Sequence, residues 1–267
     1  MSRWQVTTPI DTFENPATGS LIDIVSTIHV ADPSYYQELG QYIMSRQDEG
    51  FKVHRETIDS SPDFITTGLR EKMKAKLQDA RVDASVDWLL TVQGRTPYRL
   101  QQNKWLVRDE VDDQHDVTEA ECIRNISLGA QLSKYMLAWA GRQNIQRAAE
   151  RKNPRDFEEY IFALLRKAVA PYESGARGPR RWGDAMIIDE RNRIALSGVD
   201  KEIEEDGRTN LVLVWGMGHL AGLSAGLTAR GYEHMGRRDV VAASSMTILV
   251  REIRSRNKGR KQLTKHS

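Results

Sequence analysis

Between Leu211 and Trp215 every side chain is apolar, the pattern of a strand covered on both faces. Gly216, Met217 and Gly218 interrupt the run, and His219 follows at once. Leu220, Leu223 and Leu227 then recur at helical spacing, while Gly222, Ala225, Gly226 and Ala229 keep part of that surface small. Gly231 stands where a helix stop belongs. The pattern predicts strand, glycine turn, histidine, helix. The same grammar recurs from Leu21 to Gln41: an apolar run, a short break, His29, then a helix start with Asp32 as N-cap and Pro33 as first helical residue. Each histidine would stand at the carboxyl end of a buried strand, where open α/β sheets place their ligands. Two such units, far apart in the chain, would bring two imidazoles to one edge of one sheet.

The remaining patterns fill in an α/β domain. Trp4 to Thr7 reads as a short strand, and Glu14 to Ser20 as turn chemistry leading into the strand at Leu21. The helix from Asp32 should end near Gly50, and FKVHRET at Phe51 to Thr57 should form a strand with Glu56 near its end. Phe64 to Gln78 reads as helix, Val86 to Val92 as an apolar strand closed by Gly94 and Pro97, and Tyr98 to Val107 as another strand. Thr118 with Glu121 matches a capping box and opens a core helix, with Cys122, Ile126 and Ala130 every four residues and Leu132, Tyr135, Met136 and Trp139 extending the face. A helix over Phe157 to Val169 should end before Pro171, followed by an exposed loop from Tyr172 to Gly183. Asp184 to Ile203 reads as helix, Tyr232 to Met235 as strand, and Val240 to Val250 as a last strand or helix.

A chain of 267 residues with 39% hydrophobic and 28% charged positions suits one α/β domain, placed here at 1–250. The segment 251–267 is a basic tail with seven Lys/Arg against one Glu, so the net +2 of the whole chain leaves a body of about −4. An acidic body, and a tail without an aromatic residue for base stacking, argue against a nucleic-acid partner. The single cysteine, Cys122, excludes an intrachain disulfide and a cysteine-rich metal site. No apolar run approaches the roughly 20 residues of a membrane span, and MSRWQVTTPID lacks a signal-peptide core, so a cytoplasmic location is expected.

Three residues share one geometric expectation, at or just past a strand's carboxyl end: His29, Glu56 and His219. Two imidazoles and a carboxylate make a common catalytic metal set with open positions for water and substrate. Without a metal the same trio supplies a general base, a general acid and an orienting carboxylate. The alternative is three separate structural residues, each hydrogen-bonded at its own loop. His54, two residues from Glu56, would share its strand face, either as a competing ligand or as a supporting partner.

Several short motifs stand in a recognisable order. STIHV at Ser26 to Val30 resembles the GTIHV opening of the TraB/PrgY/GumN family, which includes the Tiki proteins, and GMGH at Gly216 to His219 resembles its second GxxH. Glu56 resembles the glutamate that follows the first unit. DERNRIA at Asp189 to Ala195 is similar to an internal ERN or ERD helix motif, matching at Glu190, Arg191 and Asn192. HDVTEAE is similar, more loosely, to a segment with an aspartate before a helix, which maps to Asp116.

The resemblance implies a mixed, largely parallel sheet flanked by helices and built from two related strand–histidine–helix halves, as in erythromycin esterase-like and ChaN-like proteins. Tiki members are described as metal-dependent proteases, and other members as regulators of pheromone or conjugation systems. Carried over by position, His29, Glu56 and His219 would hold a divalent metal such as manganese, cobalt or zinc. Glu56, Arg191 and His219 would act on a peptide or small-molecule substrate, with the Arg191 guanidinium projecting into the pocket. The expected function is a metal-dependent hydrolase of peptide or ester bonds, or else a catalytically silent regulatory or ligand-binding protein. One departure stands out: Ser26 replaces the glycine of the first GxxH. It would distort the turn if that position needs φ > 0, and change nothing if the position need only be small.

Overall fold

In the computed structural model, which describes residues 4–56, 69–101, 112–113, 127–173, 184–206 and 210–245, the apolar run at Leu211 becomes a central strand. Strand β7 (Leu211–Gly216) lies between β2 (Ser20–Thr27) and β4 (Lys52–Arg55), parallel to both. Outside β4 a two-residue strand, β6 (Asp112–Asp113), pairs in parallel. On the other side β1 (Gln5–Asn15) pairs antiparallel with β2, and β8 (Glu233–Ser244) pairs antiparallel with β1. The sheet order is β6-β4-β7-β2-β1-β8, so its parallel part contains the strands that carry the candidate residues. A second small sheet pairs β3 (Val30–Ala31) with β5 (Arg99–Leu100).

The side-chain period of two along β7 divides the core. Val212 and Val214 point to one face, where they join Val25, Val53, Tyr35, Leu39, Phe157 and Phe162. Leu211, Leu213 and Trp215 point to the other, against Ala195, Leu196, Val199, Leu223 and Leu227. Helices α1 (Pro33–Asp48), α2 (Leu69–Arg95), α3 (Leu128–Arg151) and α4 (Pro154–Glu173) cover the first face. Helices α5 (Asp184–Asp206) and α6 (Leu220–Thr228) cover the second. The result is a mixed sheet with helices on both faces, and no helix among the described residues is long and apolar enough to cross a membrane.

Several elements depart from the sequence expectation. Strand β1 runs to Asn15 rather than Thr7, and the turn contracts to Pro16–Gly19, where Gly19 has φ 68°. Val86 to Val92 is not a strand but part of the 27-residue α2. A short apolar run carries no period of its own; here Val92 is fully buried while Leu90, two residues earlier, is 53% exposed, which places them on different sides of a helix. Helix α3 starts at Leu128, where the Ser127 hydroxyl accepts the Ala130 N–H at 3.2 Å. Its Ala130, Ile145 and Ala149 are buried, but Leu132, Met136 and Trp139 are 42% to 49% exposed. Periodicity shows which residues share a face, not whether that face is covered. Helix α4 continues through Pro171, because a proline in the last turn costs one hydrogen bond without ending the helix. Glu233–Met235 and Val240 belong to a single strand, β8, and Tyr232 immediately precedes it. Thr118, Glu121, Cys122, Asp116 and the basic tail lie outside the described residues.

The helical assignment of 86–92 has a direct test by urea unfolding. Val92→Ala should cost about 1–3 kcal/mol, the range for deleting buried aliphatic groups, whereas Leu90→Ala should stay within about 0.5 kcal/mol. Equal losses at both positions would mean that both side chains are packed, as in a covered strand.

Candidate functional site

Register brings the candidate residues to one edge. In the parallel pairing of β2 with β7, Thr27 stands opposite Gly216, so His29 and His219 both emerge just beyond the same end of the sheet. Strand β4 runs alongside, with Arg55 opposite Val214, and the Glu56 N–H still donates to the Val214 carbonyl at 2.9 Å. Asp32 precedes α1 as expected, but its carboxylate accepts the Ser244 N–H at 3.1 Å instead of capping helix amides. Ser26 lies inside β2 with its carbonyl accepting the Tyr35 hydroxyl at 3.0 Å, and no non-glycine residue among those described has positive φ. The position therefore has no need of glycine's left-handed freedom.

Glu56 is the centre of a charged network. Its Oε1 pairs with Arg191 Nη1 at 2.7 Å and lies 3.6 Å from His219 Nε2, while its Oε2 accepts the Gly216 N–H at 2.5 Å. Burial alone would push this carboxyl up. The contacts to His219, Arg191 and Gly216 outweigh that and hold it well below the ordinary 4.5. The Gly216 contact depends on the missing side chain: a Cβ there would stand 2.8 Å from Glu56 Oε2.

His219 is oriented from the other side. Its Nδ1 lies 2.7 Å from Asn192 Oδ1, and because an amide oxygen only accepts, Nδ1 carries the hydrogen and Nε2 is turned toward Glu56. The edge of Trp215 packs on the imidazole at 5.2 Å between centroids, and the Arg191 guanidinium lies 5.5 Å from the Trp215 ring. Gly222 is what admits Asn192, since a Cβ on it would collide with the amide nitrogen. Arg191 and Asn192 thus both turn inward from α5, while Glu190 turns outward to pair with Arg193 at 2.7 Å.

Glu56 and His219 open onto a cavity of about 400 Å³, whose wall also includes His29, Trp88, Tyr172 and the backbone of Gly216–Gly218. His29 is exposed at its rim. Arg191 does not belong to the wall: it reaches Glu56 from behind and is only 9% exposed. His54 shares the strand face of Glu56, but it is fully buried 3.6 Å from Glu202, which also pairs with Lys52, so it serves another contact. The three candidates share one cavity but do not close on a common point. Among the described residues no group of three His, Cys, Asp or Glu is placed to hold a metal ion. Both Glu56 oxygens already carry hydrogen-bonded partners, one of them a guanidinium. A divalent ion on this carboxylate would sit beside that positive charge, so the donor set as arranged does not fit one.

Comparison with protein-family models, with curated proteins and with solved structures finds no match for this chain. The resemblance to the TraB/PrgY/GumN family therefore rests on the short motifs themselves. Sequence reasoning did not single out Asn192, Trp215, Tyr172 or Trp88 for the site. Asn192 was within reach, as the third residue of the ERN match directly after Arg191.

Two outcomes test this network. Gly222→Ala should push Asn192 off His219 and lower any His219-dependent activity more than it lowers the melting temperature, as read by parallel assay and thermal unfolding. Glu56 has a folded pKa below its unfolded value, so its stabilisation is complete above about pH 4.5 and is lost as pH falls through the folded pKa. The stability gap between wild type and Glu56→Gln should be widest near neutrality and narrow below that pH. A gap that stays constant from pH 7 to pH 3 would contradict the assignment.

Proposed function

We propose that this protein is a hydrolase of ester or amide bonds, with its reacting water held between His219 and Glu56. The observation that carries the reading is the 3.6 Å separation of His219 Nε2 from Glu56 Oε1 at the wall of a cavity. That gap is too long for a hydrogen bond between them, yet close enough for one water to reach both. Glu56 is held too acidic to be an efficient base near neutral pH, which leaves that role to the imidazole. His219 Nε2 takes a proton from the water as oxygen adds to the acyl carbon, and Glu56 stabilises the imidazolium that forms. When the tetrahedral adduct collapses, the His219 imidazolium returns that proton to the departing alkoxide or amine, leaving a carboxylic acid and the neutral imidazole, with His29 at the rim of the same cavity. Arg191 and Asn192 are positioning residues: one keeps Glu56 ionised and fixed, the other sets the His219 tautomer.

The order of motifs shared with the TraB/PrgY/GumN family supports a hydrolase, and the same likeness supports a metal-assisted version with manganese, cobalt or zinc. The arrangement of Arg191 on Glu56 favours the metal-free route. A silent ligand-binding protein is the other reading that the resemblance supports.

The experiment is turnover of 4-nitrophenyl acetate and of a mixed peptide pool by chelator-treated protein, repeated with each of the three metals while following thermal unfolding. Turnover that survives chelation, falls by about 10²–10⁴-fold in His219→Ala and falls again in Arg191→Lys supports the proposal. The lysine keeps the charge but not the planar fork. Turnover restored only by metal, with a rise in melting temperature, would replace it by the metal-assisted route. No turnover under any condition would leave the binding reading.

A further inference from the structure

The site cavity does not end at its own wall. A second cavity of about 380 Å³ opens beside it, between α2, α3 and α4, and the two share Val30, Trp88, Leu165 and Ala168. Among the described residues, no charged one lines the second cavity. Along α3 it is faced by Leu137, Gly141, Asn144 and Ile145, at spacings of four, three and one that place them on one helical face. Leu137 and Leu164 stand there 50% and 38% exposed and add apolar surface to one contiguous groove. Each cavity by itself is near the lower end of ligand-pocket volumes, and together they fall well inside that range.

We infer that this groove binds the apolar arm of the substrate, so that the bonds cleaved at His219 and Glu56 belong to medium-chain aliphatic acyl esters or amides. The inference deepens the hydrolase reading and rests on it for the cleavage step, though not for the binding step. The shared residues carry it: a chain lying in the groove would emerge past Leu165 and Ala168 into the space faced by His219 and Glu56. The chemistry matches at both ends, apolar walls for the hydrocarbon and a polar terminus for the ester. A short acyl group would leave the groove to water and gain nothing from it.

Gly141 provides the means to block the groove without endangering the fold. A Cβ there meets nothing within 4 Å, and the residue lines the groove from the middle of a helix. Leucine is a far better helix former than glycine, so Gly141→Leu fills the space while favouring α3. Gly129→Leu, on the same helix in open space and outside the groove, is the control. Two measurements are paired. Calorimetric titration with octanoate and with acetate reads the groove without turnover, and hydrolysis of 4-nitrophenyl esters from acetate to decanoate reads it through kcat/KM. Octanoate should bind wild type and Gly129→Leu much more tightly than acetate does, and Gly141→Leu should lose at least tenfold of that. In wild type, kcat/KM should rise about two- to fourfold per methylene until the groove is full, from the transfer of each methylene out of water, and Gly141→Leu should flatten the rise. Octanoate affinity that Gly141→Leu leaves unchanged, or a flat chain-length profile in active wild type, would overturn the inference. Octanoate binding lost in Gly141→Leu from a protein that hydrolyses no ester would uphold the groove and overturn the hydrolase instead.

Discussion

A carboxylate taken out of water at the end of a parallel strand is costly, on the order of several kcal/mol before it finds partners. Glu56 finds them in three other parts of the chain. Arg191 comes from α5, Gly216 from the end of β7 and His219 from the turn that follows. Each contact joins β4 to an element more than a hundred residues away in the chain, and together they hold α5 against the sheet edge where the cavity opens. Removing Arg191 would leave the carboxylate without its countercharge, so the geometry of the site and the placement of α5 are coupled. The small residues follow from the same demand. Gly216 and Gly222 are glycine because the Glu56 carboxylate and the Asn192 amide occupy the space a methyl group would need.

Elsewhere the sheet uses buried ionic and polar pairs to choose its register. Asp11 stands directly across from Arg237 in the pairing of β1 with β8, and the two form a bidentate pair at 2.7 and 2.6 Å. Thr12 stands across from Asp23 in the pairing of β1 with β2, and its hydroxyl donates at 2.6 Å. Asp23 is itself fully buried and also receives Tyr42 and Arg46 from α1. A slip of one residue in either pairing would turn these acids away from their partners and leave them buried alone. The antiparallel half of the sheet is thereby locked by charge. The parallel half is centred on the apolar β7, which is buried on both faces.

The parts legible in the sequence are those where one physical requirement dominates. A strand covered on both faces is rich in apolar residues, so β7 stands out along its whole length and β2 through Leu21, Ile22, Ile24 and Val25, and with them the positions of His29 and His219. The Asp32-Pro33 pair marked the start of α1, and Gly231, with φ 82°, the stop after α6. Glu56 was placed by its distance from the β4 run. The failures came where two requirements give the same pattern. Val86 to Val92 is as apolar as a strand because one side of α2 packs on the core while Leu90 and its neighbours stay half in water. The exposed Leu132 and Met136 were indistinguishable from core positions, because spacing is a property of the helix and cover is a property of what packs on it. Asn192 matches the ERN motif, but its role is not legible in the sequence for another reason. Its role is to orient a histidine 27 positions away, which only the folded packing of α5 on α6 creates.

The site is built from one rigid half and one loop-borne half. Glu56, Arg191, Asn192 and His219 are held by a sheet edge and two packed helices, and three of the four side chains are almost wholly buried. Charges in such a place act through a low local dielectric, so that a water between them meets a strong and already oriented field. His29 is held differently. It lies between β2 and β3, exposed, and its carbonyl is fixed by the Gln101 N–H at 2.9 Å where β3 pairs with the two-residue β5. Val30, the next residue, belongs to the walls of both cavities. The rim histidine is thus joined, through its own backbone neighbour, to the wall that the two cavities share.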